Sequence, residues 1–366
     1  MRKWNLGWGT ISKCNMNCQF CYSKGKRKTG HDLGYEEWIK FVDENHERIG
    51  TINYGTGENT LSKDWFRLVD YIRQNYPGIR QALTTNGYLS EAVSDTFCRK
   101  VFINAIDEID VSLDYCDGEK HNQFRGQPAA YQWAINTLEL CQRYGKAATI
   151  VFLGSRKNIN RHNIDGLFAI AEKYGAILRM NMYRPTEGVN ESSKEFIIDC
   201  ESYMDIIKYI ADKYQVISLN DTLFSTILTG EPVADPSGDR SIRILADGSI
   251  TPSTYLIDSR YVVGNITEKD ILLKLEEQDM LKHIILTEIP EECAECVYRE
   301  TCRGGVFDRR YLWFGDLLHK DPYCQQIYKQ KNEKIIEVNK MDFHSVHDGY
   351  LPTVFFRPGK GSGDGK

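Results

Sequence analysis

The chain has 366 residues, 41% hydrophobic and 27% charged, with a net charge of −5. These values suit a globular protein with a large domain and a smaller one, and they provide no basic stripe for nucleic acid. No apolar run approaches the roughly 20 residues that span a bilayer. The start, MRKWNLGWGT, lacks a signal-peptide core, so the eleven cysteines are expected in a reducing cytoplasm, as metal ligands rather than disulfides.

In chain order, a first strand is predicted over residues 8–12. Helical and β-rich patterns then alternate: helix 35–49, strand 50–54, helix 65–76, strand 79–84, helix 90–104, strand 108–113, helix 129–145, strand 148–153, helix 161–174 and strand 176–183. Strands alternating with helices imply a parallel sheet with right-handed crossovers, and six β/α units are readable. A polar turn cluster at 185–193 precedes a helix over 195–214. The Pro, Gly, Ser and Asp of 231–239 mark a domain boundary. A hairpin turning at Asp247-Gly248 is predicted for SIRILADGSIT, then VVGNI and two short helices up to residue 286. The expected divisions are therefore 1–230, 231–330 and 331–366, the last a charged helix to about residue 338 and a disordered, Gly-rich tail.

Two groups of cysteines carry the chemistry. Cys14, Cys18 and Cys21 sit in KCNMNCQFCYSK, spaced C-x3-C-x2-C, just after the first strand. Soft thiolates suit iron–sulfur clusters, zinc or Cu(I). A four-iron cluster usually takes four cysteines, so three in one loop leave one iron open. Structural zinc prefers C-x2-C pairs and four protein ligands, and no fourth lies nearby. The second group is Cys293, Cys296 and Cys302, spaced C-x2-C-x5-C, with Cys324 lying 22 positions beyond Cys302. Four thiolates complete either a cubane or a tetrahedral zinc. Cys98, Cys141 and Cys200 fall inside helical patterns and read as small buried hydrophobes.

The first motif, with the aromatic Phe20 before its third cysteine, resembles the radical SAM superfamily. In that family the open iron holds the amino and carboxylate groups of S-adenosylmethionine, whose reductive cleavage yields a 5′-deoxyadenosyl radical. The resemblance implies a partial (β/α)6 TIM-like barrel, with functional loops at the C-terminal strand ends. GTGENTL after strand two is similar to the family's G-G-E segment. It assigns Gly55, Gly57 and Glu58 to the cofactor's ammonium, with Thr56 and Asn59 departing from the pattern. SLDYCDGEKHNQFRG after strand four is similar to maturases with a C-terminal SPASM extension. It implies that Ser112 contacts the cofactor and Arg125 its carboxylate; Asp114 is either a substrate contact or a turn residue. Cys116, on the same predicted face, is a candidate hydrogen-atom donor for an epimerisation.

The hairpin, the GNI turn and the second cysteine group resemble a SPASM domain. Such domains usually hold two auxiliary clusters, with cysteines flanking the hairpin and following C-R-G-G. Here Ser253 and Val306 stand at two of those places, so one auxiliary four-iron cluster is expected, on Cys293, Cys296, Cys302 and Cys324. The implied activity is radical modification of a ribosomally made peptide or protein by crosslinking, oxidation or epimerisation, supplied with electrons by flavodoxin or ferredoxin. With Cys14 so early, no peptide-recognition domain is expected before the barrel, which weighs against a peptide substrate, although some peptide-modifying members of the family lack one. The alternatives are a sugar, nucleoside or aminoglycoside substrate in natural-product biosynthesis, and a zinc-bearing binding module without catalysis.

Overall fold

The computed structural model describes residues 3–25, 31–277, 289–325, 329, 331, 333–339 and 345–359. Its first strand, β1, is Trp4–Trp8, upstream of the expected 8–12. Trp4, Leu6 and Trp8 are fully buried on one face, and each such side chain contributes about 1.5–3 kcal/mol of burial, enough to set the register. Beyond it the backbone turns away, because Thr10 N and Oγ1 both donate to Asn59 Oδ1 (3.0 and 2.6 Å) and Ser12 N donates to Asp32 Oδ2 (2.9 Å).

Strands β2 (Ile49–Tyr54), β3 (Arg80–Thr85), β4 (Glu108–Ser112), β5 (Ala147–Gly154) and β6 (Ile177–Met182) follow in parallel, each beside the last. Between them run α1 (Tyr35–Asn45), α2 (Lys63–Asn75), α3 (Thr96–Ala105), α4 (Gly118–Arg125), α5 (Ala130–Arg143) and α6 (Arg161–Tyr174). The expected helix 90–104 is broken, because Asp95 caps α3 by accepting from Phe97 N and Cys98 N. The six expected β/α units are present, and the mixed α/β architecture is that of a TIM-like barrel.

The two faces of this sheet differ in chemistry. Ile52, Leu83, Ile109, Ile150 and Leu178 point outward into one apolar core with the helices. The alternate positions are polar or small. Gly7 pairs with Asn53, Thr84 with Asp110, and Val151 with Arg179. Thr84 Oγ1 reaches Asn53 Oδ1 (3.2 Å), and Arg179 Nη2 donates to Asp110 Oδ2 (2.7 Å). A polar interior does little for stability and leaves donors for a ligand.

The sheet continues across the boundary expected at residue 231. After α7 (Cys200–Lys213), β7 (Gln215–Leu219) and α8 (Thr222–Thr229), strand β8 (Ser241–Ile244) pairs in parallel with β1. The expected hairpin is present: β8 runs antiparallel to β9 (Ser249–Thr251), with Gly248 at φ +83°, and β9 pairs with β10 (Gly264–Asn265). Helix α9 (Ile271–Glu277) follows; the second expected short helix lies outside the described residues.

The C-terminal stretch departs from expectation. Residues 333–339 are not helical: Ile335 N and Ile336 N donate to Leu228 O (2.8 and 3.0 Å), and Asn339 N donates to Val216 O (2.8 Å). The charge pattern looked helical, but the backbone is bonded to α8 and β7 instead, with Ile336 buried. Of the ending expected to be disordered, RPGKGSGDGK, residues 360–366 lie outside the described residues, and an unexpected strand ends at its first residue. This strand is β11 (Val354–Arg357), inserted antiparallel between β6 and β7 with Val354, Phe355 and Phe356 buried. The resulting order is β10-β9-β8-β1-β2-β3-β4-β5-β6-β11-β7. No helix among the described residues is long and apolar enough to cross a membrane.

Candidate active site

The loop after β1 brings Cys14, Cys18 and Cys21 to the rim of one cavity at the C-terminal strand ends. Cys18 Sγ lies 3.4 Å from Arg125 O, Cys21 Sγ 3.5 Å from Ser23 Oγ, and Asn86 Nδ2 lies 3.9 Å from Cys14 Sγ. Burial pushes the Cys18 thiol up to about 11, with the Arg125 charge opposing it. Among the described residues this cavity is lined by no other Cys and by no His, Asp or Glu. Nor do any three such side chains among them close on a single metal ion. A tetrahedral zinc needs sulfurs about 2.3 Å from one centre. Three soft thiols around an open cavity fit a cluster whose irons each take one cysteine.

The Gly55–Gly57 turn forms the next wall. Gly57 has φ +70°, and a Cβ there would lie 2.7 Å from Lys13 O and run into Ile11 O, so only glycine lets this turn pass under the cysteine loop. Thr56 shares the left-handed conformation at φ +71°, a strain of about 1–2 kcal/mol. Its Oγ1 is held by Tyr22 Oη at 2.8 Å, which ties the turn to the residue after Cys21.

Glu58 does not line the cavity, contrary to expectation. Its buried carboxylate accepts from Thr60 Oγ1 (2.6 Å), Thr85 Oγ1 (2.9 Å) and Asn86 N (2.8 Å). Burial raises its pKa and these donors oppose the rise. Asn86 Nδ2 in turn donates to Asn15 Oδ1 (2.8 Å). Glu58 thus joins the TTNG loop to the cysteine loop, and of its segment Gly55, Thr56 and Gly57 line the cavity.

Ser112, Arg125 and Phe20 do line the cavity. Arg125 Nε donates to Asp114 Oδ2 (2.6 Å), and its guanidinium stands 5.1 Å from the Phe20 ring centroid. Phe20 stacks on Phe124 at 4.2 Å. Asp114 is neither a turn residue nor a cavity wall: fully buried, it also accepts from Leu153 N (2.8 Å), and so aims Arg125. Cys116 is not at the site. Its thiol packs against Gly166 on α6, and it borders a separate surface depression with Gln19 and His162. The chain bends at Cys116 and Asp117, where Cys116 N donates to Asn163 Oδ1 (2.9 Å), and the thiol lies against α6 rather than in the cavity.

Several cavity residues carried no recognisable motif. Arg179 and Asn181 from β6, Arg184, Arg243 from β8, Tyr255, and Tyr350 with Leu351 from the C-terminal stretch all line it. The available signal was polar alternation within the strands and a glycine at positions 7 and 9, where Arg243 crosses β1.

Cys293, Cys296, Cys302 and Cys324 border a second, small cavity against Leu223 and Thr226 of α8. Arg303, Gly304 and Gly305 are successively left-handed (φ +52°, +90° and +100°), which folds C-R-G-G back on Asp321. Asp321 N donates to Gly304 O (2.7 Å) and Cys324 N to Asp321 O (2.8 Å), bringing the distal cysteine home. Burial pushes Cys302 up to about 12. Where the family would carry further cysteines, Ser253 Oγ donates to Asp308 Oδ2 (2.6 Å), Asp308 accepts from Arg184 Nε (3.1 Å), and Val306 is fully buried. An ion pair fills that region.

Comparison with known proteins agrees with this geometry. The model of the Radical SAM superfamily matches residues 9–171. The mycofactocin maturase MftC of Mycolicibacterium smegmatis is 23% identical over 328 residues, covering 87% of this chain and 82% of the relative. The AdoMet-dependent heme synthase of Methanosarcina barkeri is 23% identical over 346 residues, covering 87% and 95%. Among solved structures, Streptococcus suis SuiB bound to S-adenosylmethionine superposes with a TM-score of 0.71 at 16% identity, covering 89% of this chain and 78% of SuiB. The cysteine loop, the strand order behind it and these matches agree: residues 9–171 match the Radical SAM superfamily, in an enzyme similar over most of its length to radical SAM maturases.

Proposed function

We propose that this enzyme is a peptide maturase that uses S-adenosylmethionine to abstract a hydrogen atom from a ribosomally made peptide. The observation that carries the reading is that one loop presents three thiols, with no fourth ligand-type side chain among the described residues, to the cavity walled by Gly55, Gly57, Ser112 and Arg125. Cys14, Cys18 and Cys21 would hold a four-iron cluster, which when bound supplies the electron that cleaves the sulfonium. The Gly55–Gly57 backbone admits the cofactor's ammonium closely, and Arg125, aimed by Asp114, takes its carboxylate. Ser112 supplies a hydroxyl at the end of β4. Phe20 and Phe124 form an apolar wall beside the thiols and limit water there.

A peptide substrate is supported by the relatives: MftC is a maturase, and SuiB has been solved with its precursor peptide SuiA. Cys293, Cys296, Cys302 and Cys324 would ligate one auxiliary cluster fully, in an electron-transfer or structural role, with flavodoxin or ferredoxin as reductant. The heme synthase among the relatives favours a second reading, a non-peptide substrate.

The test is anaerobic. Reconstituted protein with dithionite and S-adenosylmethionine should release 5′-deoxyadenosine and contain about eight irons. About four irons would mean that the second site holds something else. A short peptide encoded beside the gene should stimulate 5′-deoxyadenosine release and change mass; a peptide that does neither, against a porphyrin that does, decides for the second reading.

A further inference from the structure

Four arginines line the cavity: Arg125, Arg179, Arg184 and Arg243. Three face a carboxylate. Arg125 pairs with Asp114 (2.6 Å), Arg179 with Asp110 (2.7 Å) and Arg184 with Asp308 (3.1 Å). Arg243 has no acidic partner among the described residues. It is 1% exposed, its Nη2 donates only to the carbonyl of Gly55, and its Nε has no partner. A buried guanidinium without a counter-charge is strongly unfavourable in an empty pocket.

The fold makes room for this charge. Arg243 leaves β8 and crosses β1 at Gly7, where a Cβ would lie 2.8 Å from Arg243 Nη1 and run into Tyr350 Oη. Tyr350 Oη is therefore beside the guanidinium, 2.9 Å from Thr254 Oγ1, with which it can exchange the donor role. Tyr350 arrives on the C-terminal stretch ahead of β11. An uncompensated fork of N–H donors and an adjacent phenol form a carboxylate-recognition pair.

We propose that Arg243, with Tyr350, seats a carboxylate of the substrate, either a chain-terminal carboxylate or an Asp or Glu side chain. The inference rests on the cavity being the substrate site of a radical SAM enzyme, and it narrows the substrate to a molecule that brings negative charge to that wall. S-adenosylmethionine also carries a carboxylate, so the experiment must separate the two sources.

Because Tyr22, Tyr183 and Tyr255 also line the cavity, N-acetyl-L-phenylalanine and its carboxamide are suitable probes. Calorimetry on anaerobic, iron-loaded wild-type protein should show the acid binding roughly tenfold or more tighter than the amide. In R243Q the ratio should fall to about one, and R243K, which keeps the charge but not the fork, should lie between. Wild-type protein that binds the acid no better than the amide overturns the proposal without need of a variant. So does an R243Q protein that keeps the wild-type ratio while losing affinity for S-adenosylmethionine, because the arginine would then serve the cofactor. Wild-type protein that prefers the acid yet releases no 5′-deoxyadenosine sinks the radical reading instead, and leaves the carboxylate seat standing.

Discussion

The two cysteine groups are built to opposite ends. The first is a loop at the mouth of a polar barrel, with three thiols and, among the described residues, no fourth ligand-type side chain along its cavity. The second is a small pocket with four thiols against an α8 surface of Leu223 and Thr226. The first surrounds its three thiols with arginines, which suits a site that must take in charged small molecules. The second gathers four thiols beside a buried ion network. Arg309 is its keystone: Nε donates to Asp321 Oδ2 (2.8 Å), Nη1 to Asp221 Oδ2 (2.6 Å), and the rings of Phe224 and Tyr323 flank it at 5.2 and 5.3 Å. Asp221 caps α8 and Asp321 positions Cys324, so one arginine ties the second pocket to the barrel.

The sharpest way to break this contrast is to remove one thiol from each group. Cys18→Ala should reduce 5′-deoxyadenosine release about a hundredfold or more, because the open site loses one of only three ligands. Cys302→Ala should instead lower iron to about four per chain while the cofactor is still cleaved, with turnover of a peptide substrate reduced. Equal loss of cleavage in both would show that the two sites are not separate in function.

Arg309→Met comes next in size. It strands two buried carboxylates and should cost about 3–5 kcal/mol, read as a lowered urea midpoint. Loss of the second cluster's iron should precede loss of the first's as denaturant rises; simultaneous loss would show one cooperative unit.

A smaller effect belongs to the barrel. His121 is fully buried on α4, Nδ1 accepting from Asp114 N (3.1 Å), and burial pulls its pKa from 6.5 down to about 4. The unfolded chain therefore takes up a proton near pH 6.5 that the folded chain refuses until about pH 4. Stability should be constant above 6.5, fall by about 1.4 kcal/mol per unit between those values, roughly 3 kcal/mol in all, and level off below. Urea midpoints at pH 7 and 5 check this, and His121→Gln should flatten the slope. An unchanged slope would mean that other groups set the acid limit.

The smallest effect is expected at Cys116. Its thiol packs on Gly166 away from the cavity, so Cys116→Ser should leave product formation within about twofold of wild type. Loss of product would return the hydrogen-donor role to a residue the fold places outside the site.

Much of the barrel and both cysteine groups were legible in sequence. The β/α alternation is a local periodicity, and the thiols lie within short loops whose spacing survives folding. What was hidden is instructive. Glu58 shares its segment with true cavity residues, but Thr60 beside it and two donors at the C-terminal end of β3 turn its carboxylate inward. Cys116 follows the right strand, yet the bond from its N–H to Asn163 and the packing on Gly166 hold it away from the cavity. The residues 354–357 are too few to show a period, and their partners lie 135 to 178 positions earlier.

By itself, the sequence determined the ligand inventory: three thiols near the start, four near the end, and a glycine wherever the backbone must pass close. Those are properties of residue type and short-range spacing. Only the tertiary structure decided which charges lack a partner. Whether Arg243 meets a carboxylate depends on β8 lying beside β1, on Gly7 leaving room, and on a C-terminal strand returning to bring Tyr350 in. Burial and counter-charge are set by segments far apart in the chain, and no local pattern encodes them.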